Sequence, residues 1–167
     1  MTTHNGRITH LDANQVFVFG ANLQGFHGAG SAGYATFNEP GNVWRKHGYA
    51  DLPKGSQGKW NRKGLLGGQR GTKGCSYALV TVTRAGAKRS ITPSQMIQNI
   101  EEFYGFVDAH PDREFLVAQS AGKGLNGYEA IEMARFFYVA GKGDIPENVV
   151  FQDTFAELLN NPSPAWH

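Results

Sequence analysis

The chain has 167 residues, of which 40% are hydrophobic and 18% are charged, and its formal net charge is +2. This length suits one compact domain, because chains of this size bury roughly two-thirds of the surface that they expose when unfolded. The mean hydropathy of -0.41 and the lack of an apolar run near the roughly 20 residues that cross a bilayer exclude a membrane span. The opening residues also lack the apolar core of a signal peptide, so we expect a soluble cytoplasmic protein with no membrane partner.

The cysteine and histidine content argues against metal and disulfide chemistry. Cys75 is the only cysteine, so the chain can form neither an internal disulfide nor a multi-cysteine zinc site. It begins an apolar segment, which favours a small core residue over a nucleophile. No metal-ligand spacing relates the histidines outside the glycine-rich segments, which are His4, His10, His47, His110 and His167. We therefore predict no metal site and no cofactor.

Positive charge is concentrated in the middle of the chain. The segment from Leu52 to Ile100, called the cationic segment here, contains nine lysines and arginines and no acidic residue. A field of this sign favours anions, either a small phosphorylated ligand or nucleic acid. The alternative is a solvated loop whose lysines keep it soluble.

In chain order, the first half predicts one strand and one helix, followed by a long irregular stretch. QVFVFG at 15–20 is typical of a strand buried on both faces. A glycine-rich turn and small residues at helical spacing follow it, from Ala29 to Phe37. Residues 38–74 show neither period, and we interpret them as a basic, glycine-rich excursion within a single domain that spans 1–167.

The second half alternates strands with helices. YALVTV at 77–82, EFLVA at 114–118 and NVVFQ at 148–152 predict three more buried strands. Residues 92–110 predict a crossover helix, because Thr92 or Ser94 can cap it, Pro93 suits its first turn and its apolar residues share one face. Two further helices are predicted, one from about Ile131 and one that ends near Leu159. This order predicts an α/β protein with its ligand crevice at the carboxyl ends of the strands.

Two glycine-rich loops each follow a predicted strand and lead into a helix. We call residues 20–33 the first glycine loop and residues 120–128 the second glycine loop. Each presents backbone N–H groups at the positive end of a helix dipole, where oxyanions bind. Asn22 can both donate to and accept from a sugar hydroxyl, Ser120 can donate, and Tyr128 can stack on a ring. Glycines that serve packing alone are the alternative for the first glycine loop.

The segments VFVFGANLQGFHGAGSAGYA, GCSYALVTVT, HPDREFLVAQSAGKGLNGYEAIEMARFF and NVVFQDTF occur in this order along the chain. They resemble a macro-domain-like family of small bacterial and phage proteins, over most of the chain except 38–66. More distantly, the chain resembles the macro domains, which bind ADP-ribose and some of which hydrolyse ADP-ribosyl linkages. The resemblance implies a three-layer macro-domain-like fold, with a mixed, mostly parallel sheet flanked by helices.

The resemblance also implies which residues contact the ligand. Asn22 corresponds to the position that holds the distal ribose. The remaining implied contacts of the first glycine loop are Gly20, Ala21, Gly25, His27, Gly28, Ala29 and Gly30. Those of the second glycine loop are Ser120, Gly122, Lys123, Gly124, Leu125, Asn126, Gly127 and Tyr128. Arg7 stands where many macro domains have an Asp that accepts from the adenine amino group, and arginine only donates, so either the adenine is held differently or the base differs.

Hydrolysis of an ADP-ribosyl bond needs a positioned water and a group that assists proton transfer. His27 is the candidate in the first glycine loop, since its imidazole can act as a base or donate to phosphate, and local packing is the alternative. Asn22 is the second candidate. Neither loop contains an acidic residue, so binding is better supported than turnover.

The leading hypothesis is binding of ADP-ribose or a related nucleotide diphosphate, with ADP-ribosyl hydrolysis as a secondary hypothesis. The implied partners are the nucleotide diphosphate and an ADP-ribosylated macromolecule. If the protein is phage-encoded, the expected location is the host cytoplasm. The alternative is a nucleic-acid-binding module that uses the cationic segment, with Trp44, Tyr49 and Trp60 as stacking residues. A protein that keeps the fold but has lost its ligand is the third hypothesis.

Overall fold

A computed structural model describes residues 2–6, 8, 11–23, 64–68, 75–84, 86–118 and 126–167. Within these residues the strands are β1 (Thr3–His4), β2 (Gln15–Asn22), β3 (Gly64–Gly68), β4 (Cys75–Val82), β5 (Glu114–Val117) and β6 (Val149–Gln152). The helices are α1 (Pro93–Asp108), α2 (Ala130–Ala140) and α3 (Asp153–Asn160), and a short 3-10 helix follows at Pro164–Trp166. The strands and helices predicted after residue 74 are therefore confirmed, with ends that differ by one or two residues.

The strands form one sheet in the order β1-β6-β5-β2-β4-β3. Five of the described strands run parallel, and β3 pairs antiparallel with β4 at the edge. The predicted α/β class with a mixed, mostly parallel sheet is confirmed. The sequence did not predict β1, which has two residues, or β3, which lies in the excursion at 38–74. The β3 sequence GLLGG contains three glycines, so its backbone pairing with β4 decides its conformation against a weak strand propensity.

Local signals explain where α1 begins. Thr92 has an extended backbone, and its side-chain oxygen accepts a hydrogen bond from the Gln95 N–H at 3.2 Å. Pro93 follows at the first helical position, where its missing N–H has no helical partner to lose. The helix then buries one apolar face, which consists of Met96, Ile100, Phe103, Tyr104 and Val107. The predicted cap and the predicted apolar face are both confirmed.

All three described helices pack in one cluster with alternate residues of the sheet. Val16 and Val18 of β2 point into this main core. Residues on the opposite face of the sheet form a second buried cluster that includes Phe17, Phe19 and Ala78. The helix predicted from Ala29 to Phe37 lies outside the described residues, so the third layer stays a prediction.

Candidate functional site

The strand order creates a switch point between β2 and β5. These strands are parallel neighbours, and Val18 pairs with Val117 near their carboxyl ends. The chain that leaves β2 goes on to β3 and β4 on one side, whereas the chain that leaves β5 passes through α2 to β6 on the other side. Ligands of open α/β sheets bind where neighbouring connections diverge in this way, outside the carboxyl ends of the strands. The two glycine loops follow β2 and β5, so this edge of the sheet is the candidate site.

The described residues include the first part of one predicted loop and the last part of the other. They comprise Gly20, Ala21 and Asn22 of the first glycine loop and Asn126, Gly127 and Tyr128 of the second. The other predicted contacts lie outside the described residues: Gly25, His27, Gly28, Ala29, Gly30, Ser120, Gly122, Lys123, Gly124 and Leu125. Arg7 also lies outside them. Their roles, including that of His27 in hydrolysis, stay predictions.

The end of β2 brings polar groups to the candidate site. Asn22 is the last residue of the strand and is only 5% exposed. Gly20 pairs with Leu79 of β4 and Ala21 pairs with Val80, but Asn22 pairs with Val82. Thr81 is therefore an extra residue in β4, and it forms a bulge opposite β2. Such a bulge changes the direction of neighbouring side chains. Gly20, by contrast, is exposed although β2 is an inner strand.

The end of the second glycine loop is fixed by hydrogen bonds within the protein. Asn126 accepts from the Tyr128 N–H through Oδ1 at 2.9 Å, and the Tyr128 hydroxyl donates to the Ile91 carbonyl at 2.6 Å. Tyr128 is buried, its ring meets Phe136 edge to face, and the Arg89 guanidinium lies 4.8 Å from its centroid. These contacts assign Asn126 and Tyr128 a role in holding the loop, while their predicted contacts with a ligand stay predictions.

The turn that follows β4 packs directly against this loop. The Arg89 N–H donates to the Asn126 carbonyl at 2.6 Å. Gly127 has a φ of +87°, and a Cβ at this position would lie 2.7 Å from the Cβ of Lys88. Only glycine suits this close approach, because a side chain would be strained by both the backbone angle and the contact. The sequence indicated a glycine loop here but not the turn that holds it.

The charge of Arg89 is paired within the protein, so Arg89 contributes less to an anion-binding surface than its place in the cationic segment suggests. Its guanidinium forms two hydrogen bonds with Glu132 of α2, and this contact raises the pKa of Arg89. Arg89 is one of the nine basic residues of the cationic segment. A basic residue and an acidic residue 43 positions apart carry no local signal, so only the packing of the turn against α2 reveals the pair.

His4 of β1 forms a hydrogen bond at the carboxyl end of β5. Its Nδ1 accepts a hydrogen bond from the Gly6 N–H at 3.0 Å. A neutral imidazole that accepts at Nδ1 carries its proton at Nε2, so Nε2 donates to the Val117 carbonyl at 2.9 Å. His4 therefore holds the last residue of β5, immediately before the second glycine loop. From the sequence alone, His4 was only one of the histidines that lack metal-ligand spacing, and its contact with β5 was not predicted.

A hollow of about 290 Å³ lies away from the candidate site, between the C-terminal parts of α1 and α2 and the turn that follows α2. Glu101, Asp108, Asp144 and Lys142 contribute its charged lining. In the described part of the chain, no three acidic, cysteine or histidine side chains group as metal ligands do. None of the described helices combines the length and the apolar character that crossing a membrane requires.

Comparisons of the chain with protein-family models, with curated proteins and with solved structures gave no match. The class that the described part of the chain defines is α/β, with five of its described strands parallel, one antiparallel edge strand and helices packed on the sheet. The relationship to the macro-domain-like family therefore stays a proposal.

Proposed function

We propose that this protein binds ADP-ribose or a related nucleotide diphosphate at the carboxyl edge of β2 and β5. The observation that carries the proposal is the switch point, because the two strands that precede the glycine loops are hydrogen-bonded neighbours. Loops that begin on adjacent strands can approach one ligand from two sides. A diphosphate between two nucleosides requires donors from both sides, which two glycine-rich loops can supply through backbone N–H groups.

The charges around this edge support an anionic ligand. Arg84 and Lys88 are exposed in the turn that follows β4. This turn contacts the end of the second glycine loop through the Arg89 N–H. Two cations near this edge of the sheet raise the local concentration of anions. The residues of the proposed site that are described, Gly20 to Asn22 and Asn126 to Tyr128, include no acidic side chain.

Calorimetry with ADP-ribose tests the proposal. Asn22→Ala and Gly124→Glu are both expected to weaken binding, since one removes a polar group at the end of β2 and the other adds a negative charge to the second glycine loop. Gly105→Ala, on the exposed face of α1, is the matched control and should bind as the wild type does. Asn22 is buried, so thermal unfolding of each variant must show that it is folded. Unchanged affinity in both site variants would reject this site.

We also propose that hydrolysis of ADP-ribosyl linkages, if it occurs, depends on His27 or Asn22. Release of ADP-ribose from modified protein or nucleic acid should then fall in His27→Ala and Asn22→Ala, and in His27→Ala it should fall by a larger factor than the affinity for ADP-ribose does. No release from any linkage by the wild type would leave a binding protein for ADP-ribose or ADP-ribosylated macromolecules.

The alternative, nucleic-acid binding through the cationic segment, is separated by its salt dependence. The logarithm of the affinity for single-stranded DNA should fall linearly with the logarithm of the salt concentration. The slope should be proportional to the number of phosphates that the protein contacts. Replacing Lys54, Lys59, Arg62 and Lys63 with Gln should remove that affinity and leave ADP-ribose binding intact. These positions lie outside the described residues, so thermal unfolding of the variant must show that it is folded.

A further inference from the structure

The strongest unassigned feature of the described chain is a notch between Gly20 of β2 and Thr81 of β4. Gly20 is exposed on an inner strand, on the same face of the sheet as Val16 and Val18. A Cβ at Gly20 would lie 3.0 Å from the Thr81 Oγ1. The missing side chain therefore leaves open a position within hydrogen-bond distance of a hydroxyl.

The Thr81 hydroxyl is a buried polar group without a hydrogen-bond partner in the part of the chain that the structure describes. Thr81 is 9% exposed. Among the residues that the structure describes, no hydrogen bond involves its Oγ1, although nearby polar side chains such as Asn99 and Ser90 do bond to the backbone of β4 and Thr83. Buried polar side chains nearly always have a partner in the protein or in bound water. A hydroxyl that is buried, unpartnered and directed toward an open position at a candidate site indicates a ligand atom.

We propose that the Thr81 hydroxyl binds a sugar hydroxyl of the ligand, and that glycine at position 20 leaves the room for it. This inference rests on the proposed function and adds to it a specificity-determining residue. A hydroxyl both donates and accepts, which matches a sugar hydroxyl. A phosphate only accepts and is costly to desolvate without cations or several amides. The three atoms nearest to a Cβ at Gly20 all belong to the uncharged side chain of Thr81.

The position of Thr81 follows from the bulge in β4. Asn22 pairs with Val82 rather than with Thr81, so Thr81 is the residue that the register shift leaves over. Asn22 lies two residues beyond Gly20 on the same strand and on the same face. Two polar side chains, one on each strand, therefore border the exposed glycine at the carboxyl edge, and both can form hydrogen bonds with the hydroxyls of a ribose.

Thr81→Val tests the inference, because valine keeps the shape and strand preference of threonine and removes the hydroxyl. We expect ADP-ribose to bind roughly three- to tenfold more weakly, as the loss of one hydrogen bond predicts. We also expect the melting temperature of the free protein to rise or stay equal, since an unpartnered buried hydroxyl is removed. Thr81→Ser, which retains the hydroxyl, should restore binding. Weaker binding by a protein of undiminished stability distinguishes a ligand contact from a structural role.

Three ligands and one further variant complete the test. ADP-ribose and ADP show which ribose is bound: an effect on both ligands indicates the adenosine ribose, and an effect on ADP-ribose alone indicates the distal ribose. Pyrophosphate should bind Thr81→Val and the wild type equally, and an effect on pyrophosphate would overturn the sugar assignment. Gly20→Ala should weaken ADP-ribose binding by filling the notch.

The failures of the two proposals are distinguishable. Wild-type binding of ADP-ribose with equal affinity in Thr81→Val overturns the role of Thr81 and leaves the proposed function standing. A joint loss of stability and affinity that serine does not restore also overturns it, because threonine would then act through packing. If the wild type binds neither ADP-ribose nor ADP, the proposed function fails and this inference fails with it.

Discussion

Two hydrogen bonds join Arg89 to Glu132: Nη1 donates to Oε2 at 2.9 Å, and Nη2 donates to Oε1 at 2.7 Å. Arg89 lies in the turn that follows β4, with a φ of +54°, and Glu132 lies in the first turn of α2. The pair therefore connects segments that approach the candidate site from different strands. The second glycine loop ends at Tyr128, whose ring lies against the Arg89 guanidinium, and α2 with Glu132 follows directly. The pair of Arg89 and Glu132 therefore helps to fix the direction in which the loop enters α2.

The first prediction concerns the coupling between these two residues. Arg89→Gln and Glu132→Gln should each lower the melting temperature, and the double variant should lose less than the sum of the two. Glutamine at 132 can still accept from the Glu129 N–H, so this variant removes the charge and keeps the capping box. The coupling should become smaller in 1 M NaCl, since the screening length is then about 3 Å and both side chains are partly exposed. Additive losses at low salt would contradict the prediction.

The second prediction compares two glycines. Gly127→Ala should lower the free energy of unfolding by about 1–3 kcal/mol through its backbone angle alone, and the contact with Lys88 adds to that loss. Gly105→Ala should raise it by about 0.5–1 kcal/mol, because Gly105 lies inside α1 and nothing surrounds the added methyl. Urea unfolding of both variants measures the difference. Equal effects would mean that the turn after β4 does not restrict the loop.

The third prediction concerns Asn148, which precedes β6. Its Nδ2 lies 3.4, 3.3 and 2.9 Å from the carbonyl oxygens of Val107, His110 and Arg113, at the end of α1 and in the turn that follows it. Asn148→Ala should lower the free energy of unfolding by about 0.5–1.5 kcal/mol, because part-buried carbonyls lose one hydrogen-bond donor, while those of Val107 and His110 keep a backbone N–H. Asn148→Asp should lower it more, since a carboxylate only accepts and adds a negative charge beside those oxygens. Asn160→Ala, at an exposed position of α3, is the control and should change stability by less than about 0.5 kcal/mol.

The fourth prediction concerns alkaline pH. Burial, with a smaller contribution from the Glu102 carboxylate, raises the pKa of Tyr77 to about 12 from its ordinary value near 10. In the unfolded chain this phenol loses its proton near pH 10, whereas the folded protein retains it to about pH 12. The contribution of Tyr77 to stability is therefore complete below pH 10 and is lost between pH 10 and 12, by about 1.4 kcal/mol per pH unit.

Urea unfolding between pH 9 and 12 measures this loss. Other groups titrate in the same range, so the informative quantity is the difference between the wild type and Tyr77→Phe. The variant should lose stability less steeply above pH 10. In Glu102→Gln the decline should still begin near pH 10 but end at a slightly lower pH, with a slightly smaller total loss, because burial is the larger cause of the raised pKa of Tyr77. Parallel curves for the wild type and Tyr77→Phe would contradict the assignment.

Local signals account for the elements that the sequence predicted correctly. Thr92, Pro93 and the apolar spacing that follows placed α1 within two residues of its observed ends, because caps and amphipathic faces act between near neighbours in sequence. The apolar runs of β2, β4, β5 and β6 identified the inner strands for a similar reason. β3 was missed because its glycine-rich sequence has little strand propensity of its own, and its hydrogen bonds come from β4.

The sequence by itself determined the alternation of strands and helices and the presence of two glycine loops, since each depends on residues adjacent in the chain. The tertiary structure alone decided that β2 and β5 are neighbours, that Arg89 pairs with Glu132 and that Thr81 faces the open position at Gly20. Each of these relationships joins segments far apart in sequence. Their geometry is set by strand order, a register shift and the packing of helices, so no local pattern records them.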